Sequence, residues 1–228
     1  MKALINEPVK SKSVVVFDLD RTVTKVDTYL LFLAFLALKR PSRWIPSIGL
    51  VPAVIKHKLG YRDNAWLKER FWTVFARGLS DQEVRAAGAR FSNIACRHLL
   101  RSGAIGVIEN HRREDHHLLL ASASFDVYVE PMGRLLGFHG VVSTKAEISK
   151  SFEVTGKLDG RNCYGAEKVR RVAEYIRSIG ASGTSVAYSD HHSDLMLLES
   201  ADRGVAVFPT KRLRASAVQR KMDIRTSW

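Results

Sequence analysis

The stretch Val14-Val15-Val16-Phe17-Asp18-Leu19-Asp20 decides the fold class of this chain of 228 residues. Four apolar residues, three of them β-branched valines, are followed at once by two aspartates that a leucine separates. A wholly apolar run is typical of a strand buried on both faces of a parallel sheet. The aspartates then lie at the carboxyl end of this strand, where open α/β sheets bind their ligands.

Three later segments repeat this design, an apolar run that ends in polar or turn-forming residues. They are residues 118–121 before Ser122, 184–188 before Ser189 and Asp190, and 204–208 before Pro209. Helical patterns over residues 104–113, 126–136, 166–179 and 193–199 alternate with these strands, and residues 141–158 are predicted to form a short β excursion. The alternation predicts an α/β fold with a doubly wound parallel sheet.

A long segment of helical periodicity separates the first strand from the helix near residue 104. Ser80-Asp81-Gln82-Glu83 has the pattern of a capping box at the start of one of its helices. We therefore predict a catalytic core made of residues 1–23 and 101–228. Residues 24–100 are predicted to form a helical cap inserted after the first strand.

The composition is that of a globular protein, with 46% hydrophobic and 26% charged residues, which excludes a disordered or collagen-like chain. The abnormal quantity is the charge, because 36 Lys and Arg against 23 Asp and Glu give +13. Most of the excess lies in residues 39–70 and 202–225. Two local patches indicate an anionic partner but do not favour a nucleic acid, whose binders spread their basic residues and interleave aromatic ones.

The two cysteines, Cys96 and Cys163, lie too far apart for a zinc knuckle and are too few for a disulfide framework. They fit a reducing compartment, and the first residues do not have the pattern of a secretory leader. We therefore expect a cytoplasmic protein.

The most apolar region, residues 29–59, is divided by the basic stretch Lys39-Arg40-Pro41-Ser42-Arg43. Each half is shorter than the roughly 20 residues that span a bilayer, so no transmembrane helix is predicted. Pro46 and Pro52 also disfavour a long straight helix in the second half. Two interpretations remain open: a helical hairpin packed within the protein, or one that contacts the inner face of an anionic membrane from the cytoplasm.

Polar residues that follow the predicted strands should converge at one edge of the sheet. They are Asp18, Asp20, Ser122, Asp190 and Asp194. Carboxylates in such number need a cation among them, and oxygen ligands favour Mg²⁺. Lys168 on a later helix could hold a phosphoryl group and keep a neighbouring aspartate ionised, so the set indicates phosphoryl transfer.

Four stretches of the sequence also resemble known motifs. They are VVFDLDRT (residues 15–22), LASASFD (120–126), YGAEKV (164–169) and YSDHHSD (188–194). These resemble the motifs of the haloacid dehalogenase superfamily, and the helical insertion resembles the cap of its phosphoserine-phosphatase-like branch. Arg21 departs from the pattern, because many members carry glycine or serine there.

The resemblance implies a two-step phosphatase reaction. Asp18 would be the nucleophile that forms an aspartyl phosphate, and Asp20 the general acid and base. Ser122, Lys168 and Thr22 would bind the phosphoryl group. The Mg²⁺ ligands would be Asp18, the backbone carbonyl of Asp20 and Asp190, with Asp194 as an indirect ligand.

The choice of substrate is expected to depend on the cap, where two sequence features favour different substrates. Asp27, nine residues after Asp18, falls where phosphoserine phosphatases carry a glutamate that meets the substrate ammonium. The apolar and basic cap instead resembles that of bacterial phosphatidylglycerophosphatases of the C type, which implies a phospholipid headgroup. A soluble phosphomonoester, a phosphotransfer reaction and a non-enzymatic anion-binding protein on the same fold remain alternatives.

Overall fold

The computed structural model describes residues 13–38, 40, 42 and 47–228. Its strands are β1 (Val14–Asp18), β2 (His117–Phe125), β3 (Gly140–Ile148), β4 (Val154–Asp159), β5 (Thr184–Ser189), β6 (Arg203–Val207) and β7 (Asp223–Arg225). They form one sheet in the order β4-β3-β2-β1-β5-β6-β7. Neighbouring strands run parallel, except for the antiparallel pair β3 and β4 at one edge. The predicted parallel sheet is confirmed, with one reversed edge strand.

The strand β1 is central because both of its edges are paired and both of its faces are covered. It pairs with β2 on one side and with β5 on the other. Val15 and Phe17 belong to the hydrophobic cluster on one face, and Val14 and Val16 to the cluster on the other. This double burial explains why four apolar residues follow one another here without alternation.

The described helices are α1 (Thr28–Leu38), α2 (Val51–Lys58), α3 (Asn64–Ala76), α4 (Asp81–His98), α5 (Ser102–Arg113), α6 (Asp126–Leu135), α7 (Ala166–Ser178), α8 (Leu195–Ser200) and α9 (Lys211–Gln219). Helices α1 to α4 fall in the predicted cap. The capping box is present, because Ser80 Oγ accepts from the Glu83 amide and the Glu83 carboxylate accepts from the Ser80 amide. None of these helices combines the length and the apolarity that crossing a bilayer requires.

The structure corrects two predicted boundaries. The second strand does not stop before Ser122 but continues to Phe125, because its pairing with β3 shifts register after Ala121 and resumes at Phe125 and Thr144. The helix predicted over 193–199 begins at Leu195, after a short turn over His192–Asp194. The basic C-terminal segment forms α9 and β7. Residues 1–12, 39, 41 and 43–46, which include much of the basic stretch in the cap and Pro46, lie outside the described residues.

Helices α1 and α4 of the predicted cap share an aromatic core with α6, the helix that follows β2. The Phe32 ring lies 4.6 Å from that of Tyr128 and 5.2 Å from that of Phe91, centroid to centroid. Phe32 is on α1, Phe91 on α4 and Tyr128 on α6. The separation of the chain into a core and a cap at residues 24–100 stays a proposal.

Gly88 lets α4 approach α6 closely. A Cβ atom built at this position would lie 1.9 Å from the Val127 carbonyl oxygen, which belongs to the backbone. We expect Gly88→Ala to lower the free energy of unfolding by about 3 kcal/mol, at the upper end of overpacking costs. Gly106→Ala, on α5 with open space around it, should be neutral or slightly stabilising. Urea unfolding of both variants measures the difference, and equal stabilities would contradict the close approach.

Candidate active site

The carboxyl ends of β1, β2 and β5 and the helix α7 surround one pocket of about 520 Å³. Asp18 ends β1 and Asp20 lies in the turn that follows it. Lys168 comes from the first turn of α7, whereas Asp190 and Asp194 follow β5. These five predicted residues all line the pocket, so the structure brings them together as the sequence indicated.

Lys168 lies between two of the carboxylates. Its Nζ donates to Asp18 Oδ1 at 2.8 Å and to Asp194 Oδ2 at 2.7 Å, and all three side chains are buried. Burial alone would lower the pKa of Lys168, but Asp18 and Asp194 outweigh it and raise the pKa above the ordinary value. Lys168 is therefore a fixed cation of the site.

Thr22 lies behind Asp18 rather than in the pocket. Its hydroxyl is fully buried and donates to Asp18 Oδ2 at 3.1 Å. The Thr22 hydroxyl oxygen also accepts from the Asp190 amide at 3.0 Å. These bonds tie the turn after β1 to the loop after β5 and fix the second oxygen of Asp18. The predicted contact of Thr22 with a phosphoryl group stays a prediction.

Three short hydrogen bonds hold the Asp20 carboxylate. Oδ1 accepts from the amide and the hydroxyl of Thr28, each at 2.6 Å, and Oδ2 accepts from Ser124 Oγ at 2.7 Å. Thr28 is the first residue of α1, so the helix begins with its amide end on this carboxylate, an arrangement that the helix dipole favours. Ser122, the predicted phosphate ligand, is buried beside this group, with Oγ 3.4 Å from Asp20 Oδ2.

The negative charge of the carboxylates in the site exceeds the positive charge of the cationic side chains around them. Burial and the neighbouring Asp194 raise the pKa of Asp190 to about 7, and burial also raises the pKa of Asp18. Asp194 Oδ1 is a buried oxygen with no hydrogen-bond partner among the described residues. A divalent cation that prefers oxygen would supply the missing charge and a partner. The donor set therefore fits Mg²⁺, as predicted.

Asp27 and Arg21 line the mouth of the pocket. Asp27 is exposed and accepts a hydrogen bond from the Tyr29 amide at 2.9 Å. Arg21 has a φ of 60°, in the left-handed region that glycine adopts most easily. This conformation gives a physical reason for the glycine that many similar sequences carry there.

Lys68 is the main site residue that the sequence did not reveal. It projects from α3 of the cap and is 6% exposed. Its Nζ donates to the Ala123 carbonyl and, at 2.7 Å, to Asn162 Oδ1. The ammonium also lies over the Tyr29 ring, 5.5 Å from its centroid. Burial lowers the pKa of Lys68 to about 8, against the opposing effect of Asp20.

Helices α1, α2 and α3 of the predicted cap contribute apolar side chains to the pocket. They are Tyr29, Leu30, Val54, Leu67 and Phe71. The end of β1, the loops after β1 and β5 and the helix α7 contribute the carboxylates and Lys168. The pocket thus offers a charged end for an anionic group and an apolar end for whatever that group is attached to.

Comparison with known proteins supports the chemistry of this arrangement. The family model of the haloacid dehalogenase-like hydrolases matches residues 15–199. Protein CicA of Caulobacter vibrioides is 30% identical over 199 residues, which are 86% of this chain and 87% of that protein. Phosphoserine phosphatase SerB1 of Mycobacterium tuberculosis is 25% identical over 222 residues, 96% of this chain and 72% of that protein.

Solved structures share the fold at lower identity. A protein of unknown function from Bordetella pertussis has a TM-score of 0.81 at 22% identity, covering 95% of this chain and 99% of that one. A substrate-bound phosphoserine phosphatase has a TM-score of 0.65 at 16% identity, with 95% and 93% covered. The family model covers more than half of the chain, so the chain belongs to the haloacid dehalogenase-like hydrolases.

Proposed function

We propose that this protein hydrolyses a phosphomonoester by way of an aspartyl phosphate on Asp18. A carboxylate oxygen of Asp18 attacks phosphorus while the bond to the ester oxygen breaks, and Asp20 gives its proton to the departing alcohol. Water then attacks phosphorus and loses a proton to Asp20. The bond between phosphorus and Asp18 breaks, which releases phosphate. The observation that carries the proposal is the pair Asp18 and Lys168 at 2.8 Å, buried at the charged end of the pocket.

The residues divide this work between them. Lys168 balances the charge on the phosphoryl oxygens, and Thr28 and Ser124 hold Asp20 in one orientation. Asp18, Asp190 and Asp194 would hold Mg²⁺, which when bound offsets the negative charge that gathers on the transferring group. Removal of Mg²⁺ by a chelator should therefore stop phosphate release.

For the substrate, we propose a phospholipid phosphate presented by an anionic membrane surface. The apolar lining continues out of the pocket, because Leu30 on α1 lines its mouth and is 55% exposed. Helix α2 lines the mouth with Val54 and exposes Val51 and Ile55 beside it. Lys56 and Lys58 follow on the same helix. Exposed aliphatic groups beside cations are the features of a membrane-contacting helix.

A soluble phosphoserine-type substrate is the second candidate. It is favoured by the exposed Asp27 carboxylate at the pocket mouth, which could meet an ammonium group, and by relatives that bear the name phosphoserine phosphatase. The two candidates differ in the apolar bulk of the leaving alcohol, so they are separable by assay.

Phosphate release from phosphatidylglycerol phosphate in mixed micelles tests the choice, with O-phosphoserine and an aryl phosphate as soluble substrates. We expect turnover of phosphatidylglycerol phosphate in micelles to exceed turnover of O-phosphoserine. Ile55→Ser should reduce only the micellar activity, whereas Val218→Ser, at an exposed position of α9, should change neither activity. Turnover of phosphoserine alone would overturn the lipid assignment and leave the phosphatase mechanism intact.

Lys68 gives the reaction a distinctive pH dependence. Its ammonium is charged below its pKa of about 8 and neutral above it, so attraction of an anionic substrate should fade as the pH rises through that value. We expect kcat/KM to decline above pH 8 in the wild type. Lys68→Met should lose about 10-fold to 100-fold in kcat/KM at neutral pH, as for a hydrogen bond from a charged group.

Lys68→Arg is the matched control, because a guanidinium stays charged throughout the range. In Lys68→Arg, the decline of kcat/KM should move to higher pH or disappear. If the wild type and Lys68→Arg lose activity at the same pH, another group is titrating and the role given to Lys68 is wrong.

A further inference from the structure

Two histidines and a glutamate meet where α5 connects to β2, away from the residues that line the catalytic pocket. They are His111, Glu114 and His116. His111 is on the last turn of α5, and the other two lie in the short connection. The phosphatase mechanism does not use this cluster.

The distances between the three ligand atoms match a metal site. His111 Nδ1 and His116 Nδ1 are 2.9 Å apart. Glu114 Oε2 lies 3.7 Å from the first of these nitrogens and 3.3 Å from the second. Tetrahedral Zn²⁺ with bonds of about 2.0–2.1 Å places its ligand atoms about 3.3 Å from one another, and the three separations lie around that value.

The other nitrogen of His111 has the partner that a metal-binding histidine needs. Its Nε2 is 2.8 Å from the hydroxyl of Tyr188, a buried residue of β5. When Nε2–H donates to this oxygen, Nδ1 carries a lone pair and faces His116, as in histidines whose outer nitrogen is fixed by a hydrogen bond. Two facing imidazole nitrogens repel each other unless a proton or a metal ion lies between them.

The rings around His111 and the local backbone hold the cluster in place. Phe17 packs edge-on against the His111 ring at 6.1 Å and stacks on Tyr188 at 4.7 Å. Asp115, between two of the ligands, has a φ of 57°. This left-handed residue turns the chain back, so that the His116 amide bonds to the His111 carbonyl at 3.0 Å. Non-glycine residues rarely adopt this conformation.

We propose that His111, Glu114 and His116 bind one divalent transition-metal ion, with zinc the best match. Imidazole and carboxylate ligands suit zinc, whereas Mg²⁺ avoids imidazole. Three protein ligands leave the fourth position to water. The ion joins the end of α5 to the start of β2, the strand that leads to Ser122, and so stabilises this connection.

Zinc binding by the full chain tests the proposal, in buffer with saturating Mg²⁺ so that the carboxylates of the catalytic pocket are occupied. Competition with a chromophoric chelator measures affinity and stoichiometry, and Co²⁺ substitution reports tetrahedral coordination by its visible absorption. We expect one ion per chain and a zinc-dependent rise in Tm. Loss of a residue that merely hydrogen-bonds to a metal ligand lowers metal affinity about 10-fold to 100-fold. Glu114→Gln and His116→Ala each remove a ligand itself, so each should lower zinc affinity by at least this factor.

His98→Ala is the matched control, since it removes an exposed histidine at the end of α4. It should bind zinc as the wild type does. The proposal is overturned if the wild type takes up no stoichiometric zinc, in which case a proton joins the two histidines, or if His116→Ala binds as tightly as the wild type. Glu114 is 62% exposed at its side chain, so Glu114→Gln tests the site without disturbing the fold. None of these measurements depends on phosphatase activity.

Discussion

Asp18→Asn is expected to abolish phosphate release while leaving the protein folded. The amide nitrogen and oxygen occupy the volume of the carboxylate, so packing against Thr22 and Lys168 changes little. An amide, however, is a far weaker nucleophile than a carboxylate, and no aspartyl phosphate forms. We expect kcat to fall about 10⁴-fold or more, as when a catalytic nucleophile is removed.

The control for this result is another change from carboxylate to amide. Asp159→Asn alters the exposed end of β4, outside the pocket, and should keep full activity. The activity of both variants is measured as the release of phosphate from an aryl phosphate in the presence of Mg²⁺. If the activity of Asp18→Asn stayed within about 10-fold of the wild-type activity, Asp18 would not be the nucleophile, because no other group in the mechanism can replace it.

Lys168→Met is expected to have the largest effect on stability and also to remove activity. The ammonium lies between Asp18 and Asp194, which are buried with it. Its loss leaves two buried carboxylates without their cation. Removing one partner of a buried ion pair costs about 3–5 kcal/mol, so we expect a loss of this size in the free energy of unfolding without Mg²⁺.

A double variant separates charge from packing. Asp194→Asn in the Lys168→Met background removes one of the unpaired carboxylates, so it should restore part of the lost stability. Lys145→Met, on an exposed position of β3, should have no effect. Urea unfolding in chelator measures the series. A loss below about 1 kcal/mol for Lys168→Met, typical of surface pairs, would show that the ion pair is not structurally important.

The sheet and its catalytic edge were predictable because they depend on local patterns. A run of buried β-branched residues such as 14–17 is visible in the sequence, and parallel strands place their carboxyl ends at one edge. Asp18, Asp190 and Asp194 follow from that rule alone. Lys168 follows less directly, since the helical pattern of α7 places it near this edge without fixing its partners.

The contribution of helices α1 to α3 to the pocket was not predictable in the same way. Lys68 lies in a helix with no motif, and only the tertiary packing of α3 brings its ammonium to Ala123 and Asn162. The extension of β2 beyond Ser122 depends on a register shift with β3, which composition does not encode. Contacts that join distant segments are set by packing geometry, and single-sequence patterns do not report it.

The hydrogen bonds from Thr28 to Asp20 have a consequence for any replacement of the predicted insertion. Thr28 is the first residue of α1 in the predicted insertion, and it also holds Asp20, the proposed general acid, in position. Grafting an insertion from a relative onto this sheet would therefore change substrate choice and proton transfer together. A different insertion would keep the proposed acid in its present orientation only if it supplied a hydrogen-bond donor where Thr28 now lies.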